Sequence, residues 1–537
     1  MKLRLLILAH WRMILLILMS LLGLSFGLAW VSTRFSGVQG WGSFFVALLI
    51  GTGIILICWA AVKHDQRLSL PEWLLWLVIG AALLRLCLGA FWFISLPVMG
   101  YGSRVENQGY IMADAQSRDR NAWFLADSTK PLWTAIHDLR QVDQYVGMLY
   151  LSASVYRYLG SDFHQPLLMV VFSAAFSSLA VLFTYAFTKR GLGDQAARLA
   201  AWIVAFYPEA VLLGSSQMRE AYLMTLVAVS SYGVIRFWQD RVTSSLVWLL
   251  AGLLLAIPFS PPMAAFLLLI IIALAFAVEG RQVFHQPKFW LLLGGFVVVA
   301  GIGVWIAWDI IAPKGVSNPV SLIGGWLQDA IRWQTLFVKR ASGTVRSVFR
   351  MTPAWAHGLI LMVFGIAQPF LPAALLDEGL PIWRGIAIWR AAGWTMILPF
   401  LLAVPFLMWK RSHQKGLLIS LTVAVWLGIL VASLRSGGDL WDNPRYRVML
   451  ISLEAALVAW VWLEVRRQES PWLYRMIVSV CIMLAWFFPW YFQRYNWFEW
   501  PVEELFKTIG LGVACVYLYL LQDIARVKYI EISRSDK

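Results

Sequence analysis

Apolar residues in this chain fall in long unbroken runs, neither alternating like half-buried strands nor spaced like the stripe of a soluble amphipathic helix. Runs of about 18 or more apolar residues recur from end to end, each long enough to cross roughly 30 Å of hydrocarbon as a helix. The alternating segments of a membrane β-barrel do not occur. The pattern predicts an all-α polytopic membrane protein with about 14 transmembrane helices. Spans are expected near 13–30, 43–62, 72–98, 166–187, 199–214, 221–238, 244–259, 262–278, 289–311, 391–409, 416–434, 447–465, 472–491 and 503–522.

Charge sets the orientation. Lys2, Arg4 and Arg12 place the N-terminus in the cytoplasm, and Arg526 and Lys528 do the same for the tail. The run "QYVGMLYLSASVYRYLG", 144–160, is short and carries Arg157. As a span it would push Lys189, Arg190 and Arg198 outside and invert every later loop, so it is read as an interfacial helix. The run 357–376, broken by prolines, is read as interfacial or re-entrant. Two long external loops result, about 99–142 and 312–356, with both termini inside. Three regions are expected: N-terminal helices (1–98), a catalytic core with the first external loop (99–311), and a C-terminal module opened by the second loop (312–537). The first run, "MILLILMSLLGLSFGLAW", is long for a signal peptide and is read as a retained helix.

Composition agrees. The 537 residues are 60% hydrophobic and 14% charged, with 31 Trp, far from the balance of a soluble domain. The formal charge of +15, from 44 basic and 29 acidic residues, sits mostly in short loops. That is the positive-inside bias plus contact with anionic membrane lipids, and no nucleic-acid partner is expected. Cys58, Cys87, Cys481 and Cys515 lie in apolar runs without a CxxC pair, so neither a disulfide framework nor a cysteine metal site is expected. Gly191 to Ala196 fits G-x-G-x-x-A but follows a membrane span, so it is a turn between helices and not a nucleotide loop.

Chemistry therefore belongs to the external loops. "YIMADAQSRDRNAW", 110–123, is a polar island holding Asp114 and Asp119. Five residues are about 140° apart on a helix, so the two carboxylates cannot share a face. Asp114 is expected in the loop and Asp119 in the first helical turn, where it complements the dipole. A carboxylate here is suited to draw a proton from a hydroxyl or amine, or to coordinate a hard divalent cation such as Mg2+ or Mn2+. No cofactor is required by the sequence, and a solvated loop with an ordinary cap remains the plain alternative. "SSQMREAY" puts Arg219 and Glu220 at an external helix start. "SLRSGGDLWDNPRYRVML" makes an external turn in which Arg445, Tyr446 and Arg447 open a span, and guanidinium grips phosphate in bidentate fashion. In the second loop Arg332, Lys339, Arg346 and Arg350 fall within about 40° on one helical face, with Trp326, Leu336 and Phe337 toward the bilayer. That stripe suits an interfacial helix on anionic lipid or a dock for an anionic lipid-linked substrate.

The stretch 143–238 sharpens the picture. A short aromatic helix ends in "YLG", a span ends in "TKRGLG", and "ARLAAWIVAFYPEAVLLGS" and "MREAYLM" follow. This resembles the core of the GT-C glycosyltransferases related to the protein O-mannosyltransferases and the bacterial aminoarabinose transferase, over roughly 100–240. The family carries an acidic motif in the first external loop, and "ADAQSRDRNAW" stands in that place. The resemblance implies a membrane glycosyltransferase that takes sugar from a polyprenyl-phosphate donor and passes it, with inversion, to a glycan, lipid or protein acceptor. It implies an external active site in the cell membrane. Asp114 would be base or acceptor guide and Asp119 its support or a metal ligand. Arg445 and Arg447, with Arg219, would hold the lipid phosphate. Two departures leave the division of labour between the aspartates open: two extra helices precede the usual first one, and the loop lacks the Asp-Glu or Glu-Tyr-Asp form. Rival expectations are a polymerase or ligase of lipid-linked glycans, which needs the arginines but not Asp114, and a transporter or flippase of anionic lipid. The transporter would place ionisable groups at the bilayer midplane, with Arg85 as its candidate.

Overall fold

The computed structural model describes residues 2–65, 68–134, 145–240, 244–285, 348–408, 415–436, 441–468 and 470–535, together with residues 287, 290, 291, 293–295, 297, 298, 301 and 321. Helices account for its regular structure, with no strand among the described residues. Among the described residues nine helices are long and apolar enough to cross a membrane, or ten if a bent pair counts as one span. Three of the fourteen expected spans fall short of that measure: 221–238 forms a full-length helix with polar residues along it, and two others are short apolar helices; the span expected at 289–311 lies largely outside the described residues. The expected polytopic all-α class is what the structure shows.

The chain forms two compact units, Met1–Arg340 with Arg445–Ala456, and Ala341–Pro444 with Leu457–Lys537. The first contains α1 (Lys2–Ser32), α2 (Trp41–Lys63), α3 (Glu72–Met99), α4 (Arg104–Asn107), α5 (Ala113–Asp127), α6 (Gly147–Leu159), α7 (Pro166–Leu192), α8 (Asp194–Phe206), α9 (Pro208–Gly214), α10 (Arg219–Asp240), α11 (Ser245–Phe259) and α12 (Pro261–Glu279). Helix α7 is its axis: nearly its whole length is buried, and it packs against α2, α3, α8 and α10. Small residues, among them Ser173, Ala174, Ser177, Ser178 and Ala180, let neighbouring backbones approach closely, which is how helices gain contact without a hydrophobic drive in lipid. The tightest approach is between α10 and α11. A Cβ on Gly252 would lie 2.1 Å from Ser230 Oγ, and one on Gly233 would lie 2.5 Å from Leu249 N.

The span expected near 199–214 is broken. Helices α8 and α9 meet at 53°, with Pro208 opening the second. A break exposes the last carbonyls of the first half, which have no partner in lipid. Arg85, fully buried on α3, supplies it: Nη1 donates to Ala81 O at 2.9 Å and Ala205 O at 3.4 Å, and Nη2 donates to Val204 O at 3.1 Å. The residue that carried the transporter alternative is thus employed in closing a helix end.

In the second unit His357–Ala367 packs on Lys415–Ser436, and Trp472–Arg494 packs on Leu505–Ser535. Arg475 Nε donates to Asp523 Oδ2 at 2.7 Å across the latter pair. The run 357–376 is two pieces, His357–Ala367 and Leu371–Leu375, neither of spanning length.

Candidate active site

The described part of the loop that follows α3 is a built structure. Leaving α3, the chain makes the single turn of α4. Ser103 Oγ accepts from Glu106 N at 3.3 Å while the Glu106 carboxylate accepts from Ser103 N and Tyr101 N at 2.9 and 3.0 Å, a reciprocal cap. Helix α5 then starts at Ala113, which corrects one expectation: Asp114, not Asp119, stands in the first turn, and Asp119 lies one and a half turns deeper. At the far end Arg157 of α6 donates to the carbonyls of Leu125, Ala126 and Ser128 at 2.5, 3.2 and 2.8 Å, closing the C-terminus of α5 with a cation where the dipole favours one. The expected interfacial helix, α6, has 13 residues, about 20 Å by helical rise and too short to span.

The two aspartates face different partners. Asp114 has a side chain 57% exposed, and its Oδ2 accepts from Arg445 Nη1 at 3.1 Å, across 331 residues of chain. Arg445, itself buried, also donates from Nε to Glu220 Oε1 at 3.0 Å. Glu220 is wholly buried at the start of α10, and the same oxygen lies 3.4 Å from Arg219 Nε. Its other oxygen, Oε2, has no hydrogen-bond partner among the described residues. The Arg219 guanidinium lies over the Tyr145 ring at 4.9 Å and that of Arg445 over the Tyr446 ring at 5.2 Å, cation–π contacts that help hold both cations in place. Arg118 donates to Gln217 O at 3.3 Å and acts electrostatically on Glu220. Among the described residues, three guanidinium groups, those of Arg118, Arg219 and Arg445, therefore act on the Glu220 carboxylate, and one of them, Arg445, also reaches Asp114.

Asp119 is 1% exposed and has a partner on each carboxylate oxygen. Tyr110 Oη donates to its Oδ2 and Tyr156 Oη to its Oδ1, both at 2.5 Å, and His164 Nε2 lies 2.8 Å from Oδ2. Burial, with the Asp119 charge beside it, pushes both phenols well above the ordinary tyrosine value. Trp123 stacks on the His164 ring at 5.3 Å, and Tyr156 meets that ring edge-on. Tyr110, Tyr156 and His164 were not singled out in the sequence, where they stand 9, 37 and 45 positions from Asp119.

The structure thus brings Asp114, Arg219, Glu220 and Arg445 together, with Tyr446 beside them. It does not bring Arg447. That side chain is 1% exposed, hydrogen-bonds Tyr207 and lies in the field of Glu209 and Glu454. Of the proposed lipid-docking stripe, Arg332, Lys339 and Arg346 lie outside the described residues, and Arg350 is exposed on a short helical stretch. No group of three or more His, Cys, Asp or Glu side chains able to hold a metal occurs among the described residues.

Residues 150–308, less than a third of the chain, match the family model of the dolichyl-phosphate-mannose-protein mannosyltransferases. The matched stretch holds Tyr156, His164, Arg219 and Glu220, whereas Asp114, Asp119 and Arg445 lie beyond it. Together with the apolar helices, the match supports a multi-pass membrane glycosyltransferase of the GT-C type. No curated protein matches the chain.

Proposed function

We propose that this protein transfers a sugar from a polyprenyl-phosphate-linked donor to a hydroxyl or amine of a glycan, lipid or protein acceptor on the external face of the cell membrane. The observation that carries the proposal is the position of Arg445 between a buried carboxylate, Glu220, and a half-exposed one, Asp114. A donor phosphate entering from the exposed side competes with Asp114 for the guanidinium, while Glu220 keeps its hold. Arg445 and Arg219 then face the phosphate, and Asp114 is released to the acceptor.

Transfer breaks the bond between the anomeric carbon and the phosphate oxygen, and its electron pair leaves with the lipid phosphate. The acceptor oxygen or nitrogen attacks from the opposite face, inverting the centre, and its proton passes to Asp114. Arginines already in place stabilise the charge growing on the phosphate without reorganising, which is where enzymes gain most. The arginines supply that charge, so release of sugar is expected to survive chelation of Mg2+ and Mn2+ by EDTA. An external site fits a lipid-linked donor, because nucleotide sugars stay in the cytoplasm.

The test uses protein in lipid nanodiscs with radiolabelled polyprenyl-phosphate sugars, mannose first and then other hexoses and pentoses, with cell-envelope extract as acceptor. Label leaves the lipid with wild type and not with Asp114→Asn if the proposal holds. Release that is indifferent to Asp114 but abolished in Arg445→Gln would point instead to a polymerase or ligase, which needs only the arginines.

A further inference from the structure

Helix α5 poses a mechanical problem. Of its buried residues, Ala115, Gln116, Arg118, Asp119, Ala122 and Leu125, only Leu125 is large and apolar, so apolar packing does little to set how the helix is rolled about its axis. It has no side-chain cap at its start, where Met112 stands. Yet Asp114 in the first turn must stay opposite Arg445. Side-chain ends lie roughly 5–6 Å from a helix axis, so a roll of about 30° moves them about 3 Å. That would dissolve the 3.1 Å contact.

We propose that Asp119 is a positioning residue, which with Tyr110, Tyr156 and His164 fixes the roll of α5 and so presents Asp114 to Arg445. The three partners come from three places: Tyr110 just before α5, Tyr156 on α6, and His164 in the segment leading into α7. Together they take both oxygens of a buried carboxylate. Buried and held by three partners, Asp119 is shielded from a substrate proton, which assigns it to positioning rather than to proton transfer. Its place about 140° round the helix from Asp114 gives it leverage on the opposite side. The partners are in turn tied to the arginine cluster: Gln217, two residues before Arg219, accepts from Arg118 through its carbonyl and donates from Nε2 to Pro166 O at 2.6 Å, two residues past His164.

This rests on the transferase proposed above, so one arm of the test reads geometry without turnover. In protein with Cys58, Cys87, Cys481 and Cys515 replaced by Ala, the thiols introduced by Asp114→Cys and Arg445→Cys are joined by a short bismaleimide. Asp119→Asn is expected to slow that cross-link several-fold, with thermal unfolding in detergent showing that the fold survives. An unchanged cross-linking rate overturns the positioning role whatever the enzyme does. The other arm reads turnover. Asp119→Asn should lower kcat about tenfold or more with donor KM within about twofold, and in the Asp114→Asn background it should add little, because a residue acting through another gives non-additive losses. His164→Gln, which keeps a donor for Asp119, should retain most of the activity that His164→Phe loses. Losses that multiply in the double variant, or equal loss in both His164 variants, would overturn the inference. A wild type that releases sugar from no donor removes the transferase while the cross-link still decides the positioning.

Discussion

Helix α10 has a polar cluster at each end, and the two are built to opposite rules. At its last turn Asp240 meets Arg190 at 2.6 Å, Arg190 pairs with Asp65, Tyr232 donates to Asp65 at 2.8 Å, and Arg236 stands 3.6 Å from the same carboxylate. The side chains of Asp65, Arg190, Arg236 and Asp240 are at most 13% exposed, and two cations balance two anions. At its first turn three arginines act on one buried carboxylate, Glu220, and a second carboxylate, Asp114, stands half in water. A closed network holds helices together; an open one can exchange a partner. The difference separates structural ion pairs from a site even though the residue types are the same.

That contrast can be broken at the open end first. Asp114→Asn is expected to lower the rate of sugar release by about 100-fold or more, the usual worth of a positioned general base, with the unfolding temperature nearly unchanged. Arg445→Gln should cost about 100- to 1000-fold, typical of removing one donor to developing charge. At the closed end Arg190→Gln leaves Asp65 and Asp240 buried without their main partner. Such a break costs about 3–5 kcal/mol of stability, read by thermal unfolding in detergent, while the protein that remains folded should turn over normally. Alkaline pH gives a smaller effect. Tyr110 and Tyr156 stay neutral in the folded protein above the usual phenolic value, whereas the unfolded chain releases those protons near about pH 10. Their contribution is therefore complete below that pH and falls as pH rises past it. Tyr110→Phe with Tyr156→Phe should flatten the decline in stability between about pH 9.5 and 11. Smallest of all is the exposed pair Arg198–Asp194, 2.7 Å apart but 58% and 38% exposed. Arg198→Ala should change stability by less than about 1 kcal/mol.

Helix positions were legible because a run of apolar residues long enough to cross lipid has few other folds available to it. That Arg219 and Glu220 open one helix and that Arg445 lies where another begins followed from the boundaries of the apolar runs. The pairing with Asp114 did not, since nothing local links residues 114 and 445. Asp119 was placed one turn too early because α5 begins at Ala113 behind Met112, without a Ser, Thr, Asp or Asn cap to mark its start. His164 was invisible as a lone histidine whose carboxylate and aromatic neighbours come from other segments. Arg447 was expected beside Arg445, yet both lie in the helix Asp442–Arg447, where two residues are about 200° apart. One reaches Asp114 and the other turns inward to Tyr207.

Glu220 has a consequence for turnover. Two arginines held beside each other with no anion would grip the spent lipid phosphate, which carries more charge than the donor, harder than the donor itself. A fixed carboxylate shared by both lowers their appetite for phosphate, and Asp114, once it has passed the acceptor's proton to water, reclaims Arg445 as the product shifts. In the proposed transferase the pair of carboxylates thus acts as a built-in eluent, so that the step most exposed to stalling, departure of the lipid phosphate, is driven by groups that never leave the protein.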